Sequence, residues 1–190
     1  MNKIPNKFEN PIDILLSKLA DKISPYFYSL NFTPNHITTM SVIFSICCIY
    51  TLYKEYYILS SIMLLLSYFF DILDGIYARK YDMVTEFGDY YDHISDILLY
   101  LILIPMIIYK SKNKTKLIPF IILLMICLFV MMIQLGCQEK ISNSNESKML
   151  SYYKKLCPYP EKIMKFSRFG GCGTFIFMTM IIIIISGKIK

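Results

Sequence analysis

Asp71, Asp74, Asp82, Glu86, Asp89, Asp92 and Asp96 are seven of the 14 acids in a chain of 190 residues, and all fall within a stretch of 26. At about 100° per residue, Asp71, Asp74, Gly75 and Ala78 share one stripe of a helix, and Gly88, Asp92 and Asp96 share one stripe of the next. Two carboxylate faces joined by a short turn can converge. Like charges that close repel and force protonation unless cations lie between them. An all-oxygen ligand set selects hard divalent ions, Mg²⁺, Mn²⁺ or Ca²⁺. Four ionised Asp balance two such ions, which suggests a binuclear site with the ions about 3.5–4 Å apart. Gly75 and Gly88, lacking side chains, let a bulky ligand approach the backbone. Arg79 is one of only two arginines among 20 basic residues. Its planar fork suits a diphosphate better than an ammonium does.

Two plainer readings compete. Acids flanking a turn can be interfacial anchors, and acids within an apolar span can line a proton or ion pathway. Both fit one or two Asp better than four at i, i+3 and i, i+4 spacing accompanied by two Gly and an Arg. A non-catalytic membrane scaffold that retains the pattern is a third rival. Asp82 and Glu86 read as solvated turn residues.

The elements that must hold these residues are membrane spans. The chain is 55% hydrophobic and 18% charged, with a net charge of +6 and a mean hydropathy of +0.47. That composition excludes a disordered chain and an ordinary soluble domain. A span needs about 20 mostly apolar residues, and five segments qualify: Ile37 to Tyr53, Tyr56 to Tyr77, Gly88 to Tyr109, Leu117 to Gly136 and Phe169 to Ser186. Asp71 and Asp74 close the second and Asp92 and Asp96 open the third. A charge at mid-span costs roughly 2.5–3.5 kcal/mol, so the cluster requires compensation. Thr33-Pro34-Asn35 marks the start of the first span.

Ahead of the spans, Pro11 to Leu30 mixes Ile12, Ile14, Leu15, Leu19, Ile23 and Phe27 with Asp13, Lys18, Asp21 and Lys22 at helical spacing. It reads either as a helix in the membrane interface or as an amphipathic helix packed on the domain. The polar stretch Cys137 to Lys165 reads as a loop. The fold expected is all-α, a polytopic bundle of five to six transmembrane helices, with residues 1–36 as an N-terminal interfacial segment and 37–190 as the membrane domain. With the N-terminus inside, 13 Lys and Arg fall on that side and seven on the other. The positive-inside bias therefore turns the acid-rich end toward the cytoplasm. The six cysteines include no C-x-x-C spacing and there are only two His, so no zinc site is expected; the cysteines read first as free thiols and second as allowing a disulfide between loop and helix-end cysteines.

The acid-rich segment resembles the signature of the CDP-alcohol phosphatidyltransferase family, D-x2-D-G-x2-A-R-x8-G-x3-D-x3-D. It reads here as Asp71, Asp74-Gly75, Ala78-Arg79, eight residues, Gly88, Asp92 and Asp96, matching all eight fixed positions. The resemblance implies a phospholipid-forming transferase. Asp71, Asp74 and Asp92 would ligate Mg²⁺ or Mn²⁺, and Asp96 would be the base that takes the acceptor's proton, touching a metal as well. Gly75, Ala78, Arg79 and Gly88 would contact the CDP part of the donor.

The partners implied are a CDP-linked lipid or alcohol, a small alcohol acceptor and the surrounding lipids, with no nucleic acid. Relatives tend to be homodimers and usually have six membrane helices where five clear spans are counted here, so either the Cys137 to Lys165 loop hides a poorly hydrophobic element or the chain is a trimmed member. Relatives that use phosphorylated or polyol acceptors often carry Lys or Arg after the last Asp, where this chain has Ile97. That favours an acceptor without phosphate, such as serine or an amino alcohol. Asp92-His93 looks like the Asp-His of CDP-choline and CDP-ethanolamine phosphotransferases, whereas Val84 to Gly88 looks like the phosphatidyl-transferring branch; the balance leans to CDP-diacylglycerol. His93 reads either as a neighbour of the ligand set or as a plain helix-surface residue, and Asp89 as a holder of metal-bound water. Asn35 reads first as a helix cap and second as a nucleotide contact. Tyr152, Tyr153, Lys154, Lys155 and Arg168 read as a solvated basic loop before they read as a lipid-binding one. In a eukaryote the compartment implied is the endoplasmic reticulum.

Overall fold

The computed structural model describes residues 4–142 and 150–188. Among them are seven α-helices and no strand: α1 (Pro11–Ser29), α2 (Pro34–Tyr53), α3 (Tyr57–Lys80), α4 (Glu86–Lys110), α5 (Lys114–Ile141), α6 (Pro160–Ser167) and α7 (Cys172–Lys188). Five helical segments are long and apolar enough to cross a membrane, those of α2, α3, α4, α5 and the run ending with α7. Each expected span lies within one of them except that Tyr56, the expected start of the second, precedes α3 by one residue.

Local chemistry sets where these helices begin. The Thr33 hydroxyl accepts from His36 N–H while His36 Nδ1 accepts from Thr33 N–H, and Pro34 supplies the first helical residue of α2. Thr85 caps α4 by accepting from Gly88 N–H at 3.0 Å. The intervening turn is tight because Asp82 adopts φ 54°, a left-handed conformation that Asp tolerates better than most residues. Asp82 and Glu86 are exposed there, as expected.

Small polar residues bring α2 and α3 together. Ser41 Oγ donates to Ser67 O at 2.9 Å, Ser45 and Ser67 share a hydroxyl contact at 2.7 Å, and Ser60 Oγ donates to Cys48 O at 2.9 Å. Such residues allow close backbone approach where lipid supplies no hydrophobic drive between helices. An apolar core that includes Leu64, Leu103, Ile107, Leu124, Phe175 and Ile182 joins α3, α4, α5 and α7. Leu98, Leu101, Ile102, Ile122 and Phe129 point outward, as lipid-facing residues do.

α1 lies on α3 and α7. It buries Asp13, Ala20 and Ser24 while Leu15 and Leu19 remain exposed. Asp13 accepts from Tyr68 Oη at 2.7 Å, Asp21 pairs with Lys80 at 2.7 Å, and a Cβ on Gly173 would meet Asp13 Oδ1. Gly173 therefore permits the close passage of α7 behind α1.

Two expectations are corrected beyond α5. The Cys137 to Lys165 stretch is not a plain loop: α5 continues through Ile141, a 3-10 turn covers Leu150–Leu156 and α6 covers Pro160–Ser167. Residues 143–149 in its middle, and Lys3 and Lys190 of the charge count, lie outside the described residues. At eight residues α6 is too short to cross a bilayer. Cys137 and Cys157 are also not free thiols but form a disulfide, with Cα atoms 5.2 Å apart. It sits in a satellite core with Ile4, Phe8 and Met164. This cap closes the end of the bundle that carries the α3–α4 turn, while the opposite end is marked by Lys110 of α4 beside Glu55 before α3, at 3.4 Å.

Candidate active site

The signature residues come together where α3 ends and α4 begins. The carboxyls of Asp71 and Asp92 come close to each other across the two helices, and Asp74 and Asp96 lie within electrostatic range of that pair. Asp74 is buried and accepts from Thr38 Oγ1 of α2 at 2.5 Å. Asp71 and Asp96 stand one helical turn deeper than Asp74 and Asp92.

A cavity of about 130 Å³ opens beside them between α2, α3 and α4. Asp74, Gly75, Ala78, Arg79, Gly88 and Asp92 line it, and so do Asn35, Thr38, Asp89 and His93. All four residues assigned to the CDP moiety by resemblance thus border one space, as do two of the four Asp. The guanidinium of Arg79 lies over Gly75, 3.4 Å from where a Cβ would stand, which is ordinary contact. Gly75 is therefore not demanded by the packing of the chain on itself. At Gly88 a Cβ would be 3.1 Å from Thr85 Oγ1 and 3.2 Å from Asn35 Oδ1, so this glycine lets α2 and α4 close around the cavity mouth.

Thr38 and Asn35 are the residues that sequence reasoning undervalued. Thr33, not Asn35, caps α2, and Asn35 instead projects into the cavity. Thr38 was visible only as a threonine one turn into a span; its role depends on the pairing of α2 with α3. His93 borders the cavity, with Nδ1 2.8 Å from Asp89 O, 3.5 Å from Asp89 Oδ1 and 3.6 Å from Asp92 Oδ2. Ile97 is 49% exposed and does not face the cavity. Tyr152 is exposed. Arg168 donates from a guanidinium nitrogen to Lys7 O at 2.5 Å, which ties it to the cap.

Among the described residues, no three His, Cys, Asp or Glu side chains already converge on one point as a ligand set. The donor chemistry nevertheless fits hard divalent cations: four carboxylates, no thiolate, and a buried Asp74 oriented by a hydroxyl.

Comparison with known proteins agrees with this geometry. The sequence profile of the CDP-alcohol phosphatidyltransferases matches residues 31–189, a span that takes in α2 to α7. The archaetidylinositol phosphate synthase of Pyrococcus horikoshii is 32% identical over 98 residues, which cover 52% of this chain and 48% of that protein. The match thus spans about half the length of this curated relative. No solved structure matches the chain significantly. The profile extends over most of the sequence and the signature is intact at one end of the bundle; the chain belongs to the CDP-alcohol phosphatidyltransferase family.

Proposed function

We propose that the protein transfers a substituted phosphate group from a CDP-alcohol to an alcohol hydroxyl and releases CMP. The observation that carries this reading is a cavity bordered by Asp74 and Asp92 together with Gly75, Ala78, Arg79 and Gly88, with Asp71 and Asp96 one turn deeper within electrostatic range of them. Asp71, Asp74, Asp92 and Asp96 would hold Mg²⁺ or Mn²⁺, two ions by charge balance, as the family's general dependence on divalent metals supports. Bound there, the ions would neutralise the diphosphate and the charge that develops on phosphorus.

The residues divide the remaining work. Gly75 and Gly88 admit the nucleotide to the backbone, and Arg79 offers its fork to the diphosphate. Thr38 fixes the Asp74 carboxylate and so its ligand orientation. Asp96 takes the proton of the acceptor hydroxyl. The acceptor oxygen then forms a bond to phosphorus as the phosphorus–oxygen bond to CMP breaks, and the electron pair leaves with CMP. Holding both substrates on one carboxylate cluster makes the displacement effectively unimolecular.

CDP-diacylglycerol is the favoured donor, which makes the reaction a phosphatidyl transfer. The second reading, CDP-choline or CDP-ethanolamine with diacylglycerol, is favoured by His93 standing beside Asp92 at the cavity. An ion or proton pathway is less well supported, because the carboxylates gather at one end of the bundle instead of being strung across it. By the Lys and Arg count this end faces the cytoplasm. The disulfide at the same end has both cysteines fully buried, a setting that hinders attack by external thiolates.

The test is direct. Purified protein in detergent should release CMP from CDP-diacylglycerol or CDP-choline only when Mg²⁺ or Mn²⁺ and an alcohol partner are present. Ion flux in proteoliposomes without nucleotide, and no CMP with any pair, would replace this reading with the transporter one.

A further inference from the structure

The end of the bundle away from the signature has a cavity of its own. A groove of about 640 Å³ runs between the start of α3 and the end of α7, within the size range of small-molecule sites. Ile58, Leu59 and Ile62 of α3 and Ile184 of α7 make it apolar, and Glu55, Tyr56 and Lys188 give it a polar rim. Ile62 is one helical turn deeper in the span than Ile58, and Ile184 one turn deeper than Lys188. The rim thus stands at headgroup level and the apolar part beneath it. A Cβ on Gly187 would stand 2.4 Å from the Tyr57 ring, so this glycine lets the ring close against α7 and line the groove.

The same end is strongly basic. Among the described residues it carries Lys54, Lys110, Lys112, Lys114, Lys116 and Lys188 against one acid, Glu55, a balance of +5. Glu55 is paired with Lys110 at 3.4 Å, and Lys54 and Lys110 stand over the Tyr53 ring at 5.6 and 4.8 Å. Lys188 is exposed on the groove rim. Exposed Tyr50, Tyr53, Tyr56 and Tyr109 mark this level as the membrane interface. The lysines run against the positive-inside count that turns the other end to the cytoplasm, so orientation does not account for them. A negative headgroup does, because each lysine near an anionic lipid surface strengthens binding about fivefold.

We propose that this groove binds one anionic phospholipid from the leaflet opposite the catalytic cavity, with an acyl chain along Leu59, Ile62 and Ile184 and the phosphate beside Lys188. A zwitterionic lipid would fill the apolar part equally well but gain nothing from the surplus of lysines. Charge is therefore what selects the occupant. The site stands apart from the transfer chemistry, since Asp71 lies about 20 Å further along α3 than Ile58.

The chain contains no tryptophan, so a single introduced one reports only its own surroundings. Tyr56→Trp places it at the rim, where the side chain is 63% exposed and makes no capping bond. Leu59→Trp is a second reporter on the groove wall, and Leu101→Trp places a third on the lipid-facing side of α4, outside the groove. The full chain is reconstituted in vesicles of equal parts phosphatidylcholine and phosphatidylglycerol, with one or the other carrying brominated acyl chains that quench tryptophan on contact. At the two groove reporters phosphatidylglycerol should be preferred at least fivefold, with near equality at Leu101→Trp. Lys188→Gln, added to either groove reporter, should lower the preference about fivefold. Equal quenching by the two lipids at the groove overturns the proposal. So does a preference as strong at Leu101→Trp as at the groove, which is surface charge alone, and so does a preference that survives Lys188→Gln. No turnover is read, so the outcome is independent of the transferase reading.

Discussion

Thr38 of α2 donates a 2.5 Å hydrogen bond to Oδ2 of Asp74 of α3, and both residues border the same cavity. The bond joins a helix outside the signature to one of the signature's aspartates. It leaves Asp74 less free to turn, so the carboxylate is presented to a cation in one orientation. Thr38→Val keeps the shape and removes the donor. Loss of a partner that orients a metal ligand typically costs 10–100-fold in metal affinity or activity. The Mg²⁺ concentration for half-maximal CMP release should rise by about that factor, with the unfolding temperature little changed; an unaltered Mg²⁺ curve would remove Thr38 from the site.

Asp96 lies one helical turn deeper than the cavity-lining Asp92. Asp96→Asn preserves size and hydrogen bonding but cannot accept a proton. Turnover should fall by about 10²–10⁴-fold, while binding of the CDP-linked donor, followed by titration at equilibrium, survives. Turnover within a few fold of wild type would show that another group is the base. EDTA should abolish turnover in the wild-type protein, and Mg²⁺ or Mn²⁺ should restore it.

Glu9, two residues before α1, accepts from Gln138 Nε2 of α5 at 3.2 Å. Burial, and then the charge of Asp13, push its carboxyl from 4.5 up to about 7, against the opposing pulls of the Asn10 backbone, Arg79 and Gln138. The folded protein thus keeps a proton on Glu9 across that window which the unfolded chain has released. Stability from this group declines as pH rises from about 4.5 to about 7, and the full penalty applies above it. Glu9→Gln should therefore unfold at a higher temperature than wild type at pH 8 and lose that advantage at pH 4.5. A difference independent of pH would show that the glutamate's ionisation does not matter.

The Cys137–Cys157 bridge closes a loop with a sequence separation of 20. Chain-entropy reasoning assigns such a loop about 3 kcal/mol. The double variant Cys137→Ser with Cys157→Ser should lower the unfolding temperature by several degrees and loosen the cap that carries Gln134, Gln138 and Ser167. Thiol labelling of membranes under native and denaturing conditions checks the redox state: without reductant, four thiols should react after denaturation, those of Cys47, Cys48, Cys127 and Cys172. Six reactive thiols would place this end of the protein in its reduced form.

How much was legible in the chain differs between its parts, for physical reasons. The spans and the signature are local: apolar run length and helical spacing decide them, so five helices and two carboxylate stripes follow from residue order. The helix start at Pro34 follows for the same reason, since caps act within three residues. The cap was not legible, because Cys137 to Lys165 has the composition of a loop and its order comes from partners far along the chain, Phe8 among them.

The sequence alone determined that the carboxylate stripe of Asp71 and Asp74 and that of Asp92 and Asp96 would face each other across one turn at the edge of a membrane. Only the tertiary structure decided what else meets them there. Thr38 and Asn35 come from a helix more than 30 residues away, and Glu9 and Asp13 are brought up by the packing of α1 and the turn before it on α3 and α7. Contacts of that range carry no periodic trace in the chain, because they depend on which helices pack together and at what depth.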